Sequence, residues 1–294
     1  MRAIIPDLHA DPRRLDASLA AAGAGGLAFL GDFIDAFPGA PADGDLAVLR
    51  RVRDLIDDHG ALAVMGNHEL NAILFHRRDT AGAFLRPHSA KNLGQHQSFI
   101  QQFGIETPQA LDWTGWFLRA LPLWRDAGSF RLVHACWSDA AVRTIRARRP
   151  DARLQPEDLP EIASESTDFG RAVKLLVSGP EATVPGWKGF LDHKGNRRRQ
   201  VRLSWWSGGP TWRDQALSIP DPLDLPDDPV PAELTAPRYP ADAPPVFAGH
   251  YKMRGAPRLD CANVLCLDYP ASPCLYLHCG EAALDPRNLR VLAS

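Results

Sequence analysis

Five short polar motifs each follow an apolar stretch of the kind that forms a buried strand. They are Asp7-Leu8-His9, Gly31-Asp32-Phe33-Ile34-Asp35, Gly66-Asn67-His68-Glu69, Val133-His134 and Gly249-His250. Together they supply carboxylate oxygens, an amide oxygen and imidazole nitrogens, which are good ligands for divalent metal ions. A carboxylate can also bridge two cations that lie about 3.5–4 Å apart. The motifs therefore predict a metal centre with ligands for two ions.

Each residue has a simpler explanation when it is considered alone. An aspartate that follows a strand, such as Asp32, commonly caps a helix or lies in a loop. A lone histidine on a strand, such as His134, is commonly a hydrogen-bonded core residue. Asn67 after Gly66 could form a turn. The order of all five motifs along the chain favours the metal centre over these alternatives.

The ordered motifs resemble the calcineurin-like metallophosphoesterase superfamily, and within it the branch of phosphoprotein phosphatases and bacterial symmetrical dinucleoside-tetraphosphate hydrolases. The resemblance implies a four-layer α/β/β/α sandwich and two divalent ions, Mn²⁺ first, with Fe, Zn or Ni as alternatives. It implies that Asp7 and His9 bind one ion and that Asp32 bridges both. The full set of implied ligands is Asp7, His9, Asp32, Asn67, His134 and His250. A single histidine in the last motif, rather than GHxH, fits the phosphoprotein-phosphatase branch.

The resemblance also implies the reaction. Two metal ions lower the pKa of a bridging water and so supply a hydroxide that attacks phosphorus in line. The oxygen that leaves needs a proton, and His68, next to Asn67, is the predicted acid. Asp35 resembles the carboxylate that orients this histidine in the family. The alternative for Asp35 is a loop carboxylate in solvent.

One motif departs from the family pattern. Phosphoprotein phosphatases carry GDxxDRG, and the arginine holds the phosphate through a charge-assisted contact. In this chain Asp35 is followed by Ala36, so another cation must take that role or activity on monoesters should suffer. The candidates from the sequence, each of which could also be a solvated surface charge, are Arg86, Lys91, Arg171, Lys188, Arg197, Arg198 and Arg199.

The leading hypothesis is a phosphoesterase of the serine/threonine-phosphatase type, with a phosphorylated small molecule, a nucleotide or a phosphoprotein as substrate. A dinucleoside polyphosphate hydrolase or a phosphodiesterase is the alternative within the class. A protein of a different class, which binds phosphate in a regulatory role but catalyses weakly, is the third hypothesis. Its only support is the missing arginine.

Composition narrows the class of partner. The chain has 294 residues and a net charge of −2, so no global attraction to nucleic acid or to an anionic membrane is expected. No apolar run approaches the roughly 20 residues of a membrane span, and Asp7 interrupts the first apolar run too early for a signal peptide. The five cysteines form no CxxC pair. They predict reduced thiols and a cytoplasmic location, with no cysteine among the metal ligands.

Apolar periodicity predicts where the elements lie. We expect a single domain over 1–294, with an insertion around 138–245 that shapes specificity. Alternating strands and helices at the start predict a parallel α/β sheet, and four late strands predict a second sheet. Helices are predicted over 12–22, 45–59 and 94–103, and three more are predicted to begin at the N-caps Thr107, Ser138 and Thr167 and to reach residues 121, 149 and 177. The first strands are predicted over 3–6, 27–30, 61–65 and 130–134, and the late strands over 246–248, 264–269, 275–278 and 289–292.

The insertion is predicted to contain a β-hairpin. Its strands are 190–191 and 197–206, joined by a turn over 192–196 that includes Gly195. Val201, Leu203 and Trp205 alternate with polar residues, which predicts one buried face. Basic residues at the tip and on the polar face could steer anionic substrates, or the hairpin could simply cover a sheet edge. These basic residues are Lys194, Arg197, Arg198 and Arg202.

Overall fold

The computed structural model describes residues 1–191, 197–234 and 238–292. The described helices are α1 (Pro12–Ala22), α2 (Gly44–Asp57), α3 (Asn67–Phe75), α4 (Ala90–Gln95), α5 (Gln97–Phe103), α6 (Pro108–Ala120), α7 (Asp139–Arg146), α8 (Leu159–Ser164), α9 (Asp168–Ser178) and α10 (Trp212–Gln215). The described strands are β1 (Arg2–Ile5), β2 (Gly26–Phe29), β3 (Leu62–Ala63), β4 (Trp124–Asp126), β5 (Arg131–Val133), β6 (Glu181–Thr183), β7 (Phe190–Leu191), β8 (Arg197–Arg198), β9 (Gln200–Leu203), β10 (Ala216–Leu217), β11 (Val246–Ala248), β12 (Val264–Cys266), β13 (Cys274–His278) and β14 (Leu289–Val291).

The first sheet has the order β14-β13-β1-β2-β3. Its strands β1, β2 and β3 are parallel and are joined by α1 and α2, as the alternation of strands and helices predicted. Both helices begin and end where the sequence places them to within two residues, and Asp11 caps α1 by accepting from two backbone N–H groups. The local sequence pattern is therefore enough to predict the elements from β1 to β3.

The second sheet has the order β12-β11-β5-β4. Strands β5, β11 and β12 are parallel to one another, and β4 pairs antiparallel with β5. The predicted N-caps determine where two helices beside this sheet begin. Ser138 accepts from the backbone of α7, and Thr167 accepts from that of α9. Each sheet thus presents a set of parallel strands that end at the same edge.

The two sheets pack face to face, and side-chain alternation shows how. Ile4 of β1 and Phe247 of β11 belong to an apolar cluster shared by both sheets, whereas Ile5 and Ala248, each one residue later, belong to the cluster that also contains helix residues such as Leu15. Successive strand side chains point to opposite faces, so each sheet has one face against the other sheet and one against helices. The predicted four-layer α/β/β/α sandwich is confirmed.

The placement of the last two strands was predicted wrongly. Strand β13 pairs antiparallel with β1, and β14 pairs with β13, so both lie in the first sheet and not in the second. Arg2 faces His278 and Ile4 faces Tyr276 in this register. The local pattern predicts that a segment is extended but does not determine which distant strand it pairs with.

The predicted hairpin differs in its second strand. Strands β7 and β8 pair antiparallel as expected, but the strand then breaks at Arg199, and β9 instead lies between β6 and β10. The alternation was predicted correctly, since Val201, Leu203 and Trp205 are all buried. The predicted turn over 192–196, with Lys194 and Gly195, lies outside the described residues.

The helical prediction over 94–103 was also only partly right. Two short helices, α4 and α5, occupy this part of the chain and are separated at His96. The His96 backbone ends α4 with φ −101° and ψ 17°, which turns the ring into the protein. In the part of the chain that the structure describes, every helix is too short or too polar to cross a membrane.

Candidate metal centre

The predicted site residues all follow strands that end at one edge of the two sheets. Asp7 lies just after β1, Asp32 after β2, and Asn67 begins α3 directly after β3. His134 and His250 follow β5 and β11, the parallel neighbours in the second sheet. The carboxyl ends of parallel strands are where open α/β sheets place ligands. The topology therefore brings residues from the first and last quarters of the chain together.

Asp32 lies at the centre of this group. Its Oδ2 atom is 3.4 Å from His134 Nε2 and 4.0 Å from His9 Nε2. The other oxygen, Oδ1, accepts a hydrogen bond of 2.9 Å from the backbone N–H of His68. Asp32 is only 2% exposed. One carboxylate oxygen is thus fixed by α3 while the other faces two imidazoles.

Asn67 joins the two histidines of the second sheet. Its side-chain oxygen lies 3.0 Å from His134 Nε2 and 2.7 Å from His250 Nδ1. His134 Nδ1 must carry a proton, because it donates to the carbonyl of Leu30 at 2.6 Å. That bond turns Nε2 toward Asp32 and Asn67, as an outer-shell partner does for a metal-binding histidine. The three ligand atoms therefore converge on one point.

Burial and neighbouring charges shift the pKa values of the buried residues in this group away from their usual ranges. Burial raises the pKa of Asp7 well above its usual range, and repulsion from the nearby carboxylates of Asp268 and Asp32 raises it further. Burial alone would lower the pKa of His134, but the charge of Asp32 and its hydrogen bond raise it to about 10. Buried carboxylates in proteins are paired with cations or coordinate metals. A bound cation would take the place of the second proton on His134.

Several ring nitrogens in the group lack any partner. Both nitrogens of His9 and the Nε2 atom of His250 are buried without a hydrogen bond to any residue that the structure describes. An unpaired buried nitrogen is costly unless it binds something, so His9 Nε2, which lies 4.0 Å from carboxylate oxygens of Asp7 and Asp32, fits a metal ion. In His250 the atom that converges with Asn67 is Nδ1, so its unpaired Nε2 is not the metal-facing nitrogen. Two groups of residues each bring their donor atoms within 4.8 Å of one another. The first group is His9, Asp32 and His68, and the second is Asp32, His134 and His250. Asp32 is common to both sets, as a bridging ligand would be.

The backbone at the site is strained. Positive φ angles, which favour glycine, occur at His9 (47°), Asp32 (53°), Asp35 (67°) and His250 (73°). The pattern Asp7-Leu8-His9 indicates an extended backbone with both polar side chains on one side; that prediction is wrong at His9, where the chain turns. Strained non-glycine residues persist where the surrounding structure holds them, and they cluster at functional sites.

Glu69 is a supporting residue that the sequence analysis quoted but did not assign. Its carboxylate is fully buried and accepts from the backbone N–H groups of Gly66, Asp32 and Phe33 at 2.8–3.0 Å. Burial raises its pKa to about 7, and the charge of Asp32 adds to the rise. Glu69 ties the turn after β2 to the start of α3, so it positions both Asp32 and Asn67. The spacing of Gly66 and Glu69 at the start of a helix is the signal that could have revealed it.

His68 and Asp35 lie against each other, and a second histidine extends the pair. Asp35 Oδ2 is 2.6 Å from His68 Nδ1, and Asp35 Oδ1 is 2.6 Å from His96 Nδ1. Burial would raise the pKa of Asp35, but the charge of His96 and the hydrogen bonds from both rings hold it well below its usual range. Burial would lower the pKa of His68, but Asp32 and Asp35 raise it. His96 was not predicted, because nothing near it in sequence marks it.

The basic residues offered as substitutes for the missing arginine lie in different places. Arg86 is half-buried beside a small cavity that Asp35 and His96 also line, and it donates to Asn92 and Gln95. Arg171 pairs with Asp168 on α9, and Arg197 donates to the carbonyl of Lys188. Arg202 reaches the candidate centre itself, donating to the carbonyl of His250 at 2.8 Å.

A glycine tests how tightly the centre is packed. A Cβ atom at Gly249 would lie 2.0 Å from Asp7 Oδ1, so the Gly249→Ala variant must displace that carboxylate. We expect the variant to bind Mn²⁺ at least about tenfold more weakly, because outer-shell changes alone cost about 10- to 100-fold in metal affinity. Calorimetric titration with Mn²⁺ measures this. Gly94→Ala is the control, because a Cβ there meets nothing within 4 Å; equal affinities in both variants would contradict the packing described.

Comparison with known proteins gives a likeness in structure only. The sequence matches no protein-family model and no curated protein. A metallophosphoesterase from Sphaerobacter thermophilus is 22% identical over 46% of each chain, with a TM-score of 0.30. A putative diadenosine tetraphosphatase is 16% identical over 99% of this chain and 93% of its own, with a TM-score of 0.45. A Saccharomyces cerevisiae serine/threonine phosphatase with similarity to human PP5 is 11% identical over 100% of this chain and 79% of its own, with a TM-score of 0.47.

The chain is thus similar to metallophosphoesterases and phosphatases, the class that its motifs resemble. The match to the first of these spans less than half of either chain.

Proposed function

We propose that this chain is a metal-dependent phosphoesterase with a dinuclear centre. The observation that carries the proposal is the convergence, at one edge of both sheets, of buried oxygen and nitrogen donors around Asp32, with the His9 Nε2 atom beside it left unpaired. In this proposal Asp7 and His9 hold one ion, and Asp32 bridges to a second. The residues that hold the second ion with Asp32 are Asn67, His134 and His250.

Two divalent cations at this centre would lower the pKa of water and screen the charge of the phosphate group. The chain itself supplies the proton. Asp35 accepts from His68 Nδ1 and thereby turns the Nε2 atom toward Asp32, 3.9 Å away. When a hydroxide attacks phosphorus, the P–O bond to the leaving oxygen breaks and that oxygen takes the Nε2 proton of the doubly protonated His68 ring, which becomes neutral and keeps its Nδ1 proton on Asp35. His96 holds the second oxygen of Asp35 and so keeps the pair aligned.

A second candidate substrate class is a dinucleoside polyphosphate. A cavity of about 150 Å³ opens beside His9 and is lined by Phe37 and the guanidinium-bearing residues Arg13 and Arg14. The aromatic ring suits a base, and the exposed guanidinium of Arg13 suits an additional phosphate. The guanidinium of Arg14 already donates to the carbonyls of Asp7 and Pro270. A phosphate monoester needs no such extension of the site, so this cavity favours the larger substrate.

A substrate panel tests the proposal. The purified chain, loaded with Mn²⁺ and in parallel with Fe²⁺, Zn²⁺ or Ni²⁺, is assayed on p-nitrophenyl phosphate, a phosphopeptide, a nucleotide and a dinucleoside tetraphosphate. We expect hydrolysis of at least one, abolished by a chelator and restored by Mn²⁺. Phosphate binding without turnover on any member would support the regulatory alternative and contradict the proposal.

The cytoplasmic location stays a prediction from cysteine content.

A further inference from the structure

Lys252 lies at the candidate metal centre, although the sequence analysis did not select it. It follows His250 by two residues on the same turn, with a positive φ of 49°. Its backbone N–H donates to Asp268 Oδ2 at 2.7 Å, and Asp268 is 1% exposed. The strained turn and this buried hydrogen bond fix the direction in which the side chain leaves the backbone. Lys252 is therefore positioned by the same turn that carries His250.

The Lys252 side chain is directed by an aromatic contact. Its ammonium nitrogen lies 4.7 Å from the centroid of the Phe37 ring, within the range of a cation–π interaction. Phe37 packs in turn on the imidazole of His9, with 4.0 Å between ring centroids. Phe37 thus links the ammonium to a predicted metal ligand, and it follows directly after Ala36, where the family pattern has its arginine.

Lys252 lies beside the candidate metal centre. The Phe37 ring that the ammonium faces is 4.0 Å from the His9 ring, and the His9 ring is 4.9 Å from the His68 ring. A chain of three ring contacts therefore connects Lys252 to the predicted ligand His9 and the predicted acid His68.

Among the described residues, the Lys252 ammonium forms no direct ion pair. Within residues 1–191, 197–234 and 238–292, no carboxylate oxygen lies within 4.0 Å of Lys252 Nζ. Its side chain is only partly exposed. Asp268 attracts the ammonium from a greater distance. An ammonium that forms no direct ion pair keeps its N–H donors available for an anion. Arg202, which donates to the carbonyl of His250, adds a second positive charge nearby.

We propose that Lys252 binds the phosphate group of the substrate and so replaces the arginine that is absent at Ala36. The proposal rests on the proposed function, because it assigns a residue of the same site. It differs from the sequence-based candidates, which include neither Lys252 nor any residue after β11. The competing explanation is that Lys252 only anchors Phe37 over His9, in which case it would not meet the substrate.

Binding of inorganic phosphate separates these explanations. The Mn²⁺-loaded protein is titrated with inorganic phosphate by calorimetry, and phosphate is also assayed as an inhibitor of p-nitrophenyl phosphate hydrolysis. We expect Lys252→Met to raise the Kd for phosphate about tenfold, since a charge-assisted contact is lost, and to raise KM more than it lowers kcat. Lys252→Arg should keep most of the affinity. The control, Lys174→Met, changes an exposed lysine on α9 and should behave as wild type.

The outcomes are distinct. Lys252→Met with wild-type phosphate affinity and wild-type metal content would overturn the inference and leave the proposed function standing. Loss of bound metal in Lys252→Met would also overturn it, because the residue would then act through the ligands. If the wild-type protein holds metal but neither binds phosphate nor hydrolyses any ester, the proposed function fails and the inference fails with it.

Discussion

Asp32→Asn is expected to abolish turnover and to weaken metal binding. Asp32 is the one residue common to both sets of converging donors, and its Oδ2 atom faces His9 and His134. An amide is neutral and offers only one oxygen, so it bridges two cations poorly. We expect the affinity for Mn²⁺ to fall by more than about 100-fold, because outer-shell changes alone cost about 10- to 100-fold.

The measurement is metal content by mass spectrometry after dialysis, combined with kcat on the best substrate. Asp16→Asn is the matched control, because the Asp16 side chain is 61% exposed and forms an ion pair with the surface residue Arg51. A surface ion pair contributes little to stability, so this variant should keep both metal and activity. If Asp32→Asn retained two bound ions and wild-type kcat, Asp32 would not be the bridge.

His68→Ala is expected to keep the metals and lose rate. His68 Nδ1 is committed to Asp35, and only Nε2 faces the centre, which suits a proton donor. Loss of a general acid costs about 10²- to 10⁴-fold in rate. The loss should be smaller for p-nitrophenyl phosphate than for an alkyl phosphate, because a good leaving group needs its proton less.

The structure also offers a rival role for His68, and metal content decides between them. Its donor atom lies within 4.8 Å of donors on His9 and Asp32, so it could complete a ligand set. If His68→Ala lost a metal ion, His68 would be a ligand and not the acid. His59→Ala is the control, since His59 is 61% exposed.

Much of the arrangement could be predicted from the sequence, because the determinants are local. Apolar runs followed by polar motifs place Asp32 and His134 at strand ends, and the known behaviour of parallel sheets brings those ends together. The caps at Thr107 and Ser138 were likewise readable, and both accept the expected backbone hydrogen bonds. The four-layer fold followed from the order of these elements and from the resemblance.

What could not be predicted depends on contacts between distant segments. Strand β13 pairs with β1, more than 270 positions away, and no local pattern encodes that choice. Helix α3 was not predicted, because it begins with three polar residues of the kind that is common in loops. Its start is stabilised by a distant contact, since Glu69 accepts from the backbone of the turn after β2. His96 and Lys252 reach the site only through the fold, from a helix junction and from the turn after β11.

The central claim is that Asp32 bridges two metal ions between the two sheets. Crystals grown with Mn²⁺ and measured by anomalous diffraction at the manganese edge test it most directly. The account predicts two anomalous peaks about 3.5–4 Å apart, one beside Asp7 and His9 and the other beside Asn67, His134 and His250, with Asp32 between them. A single peak, peaks elsewhere on the protein, or no peak at this edge of the sheets would contradict it.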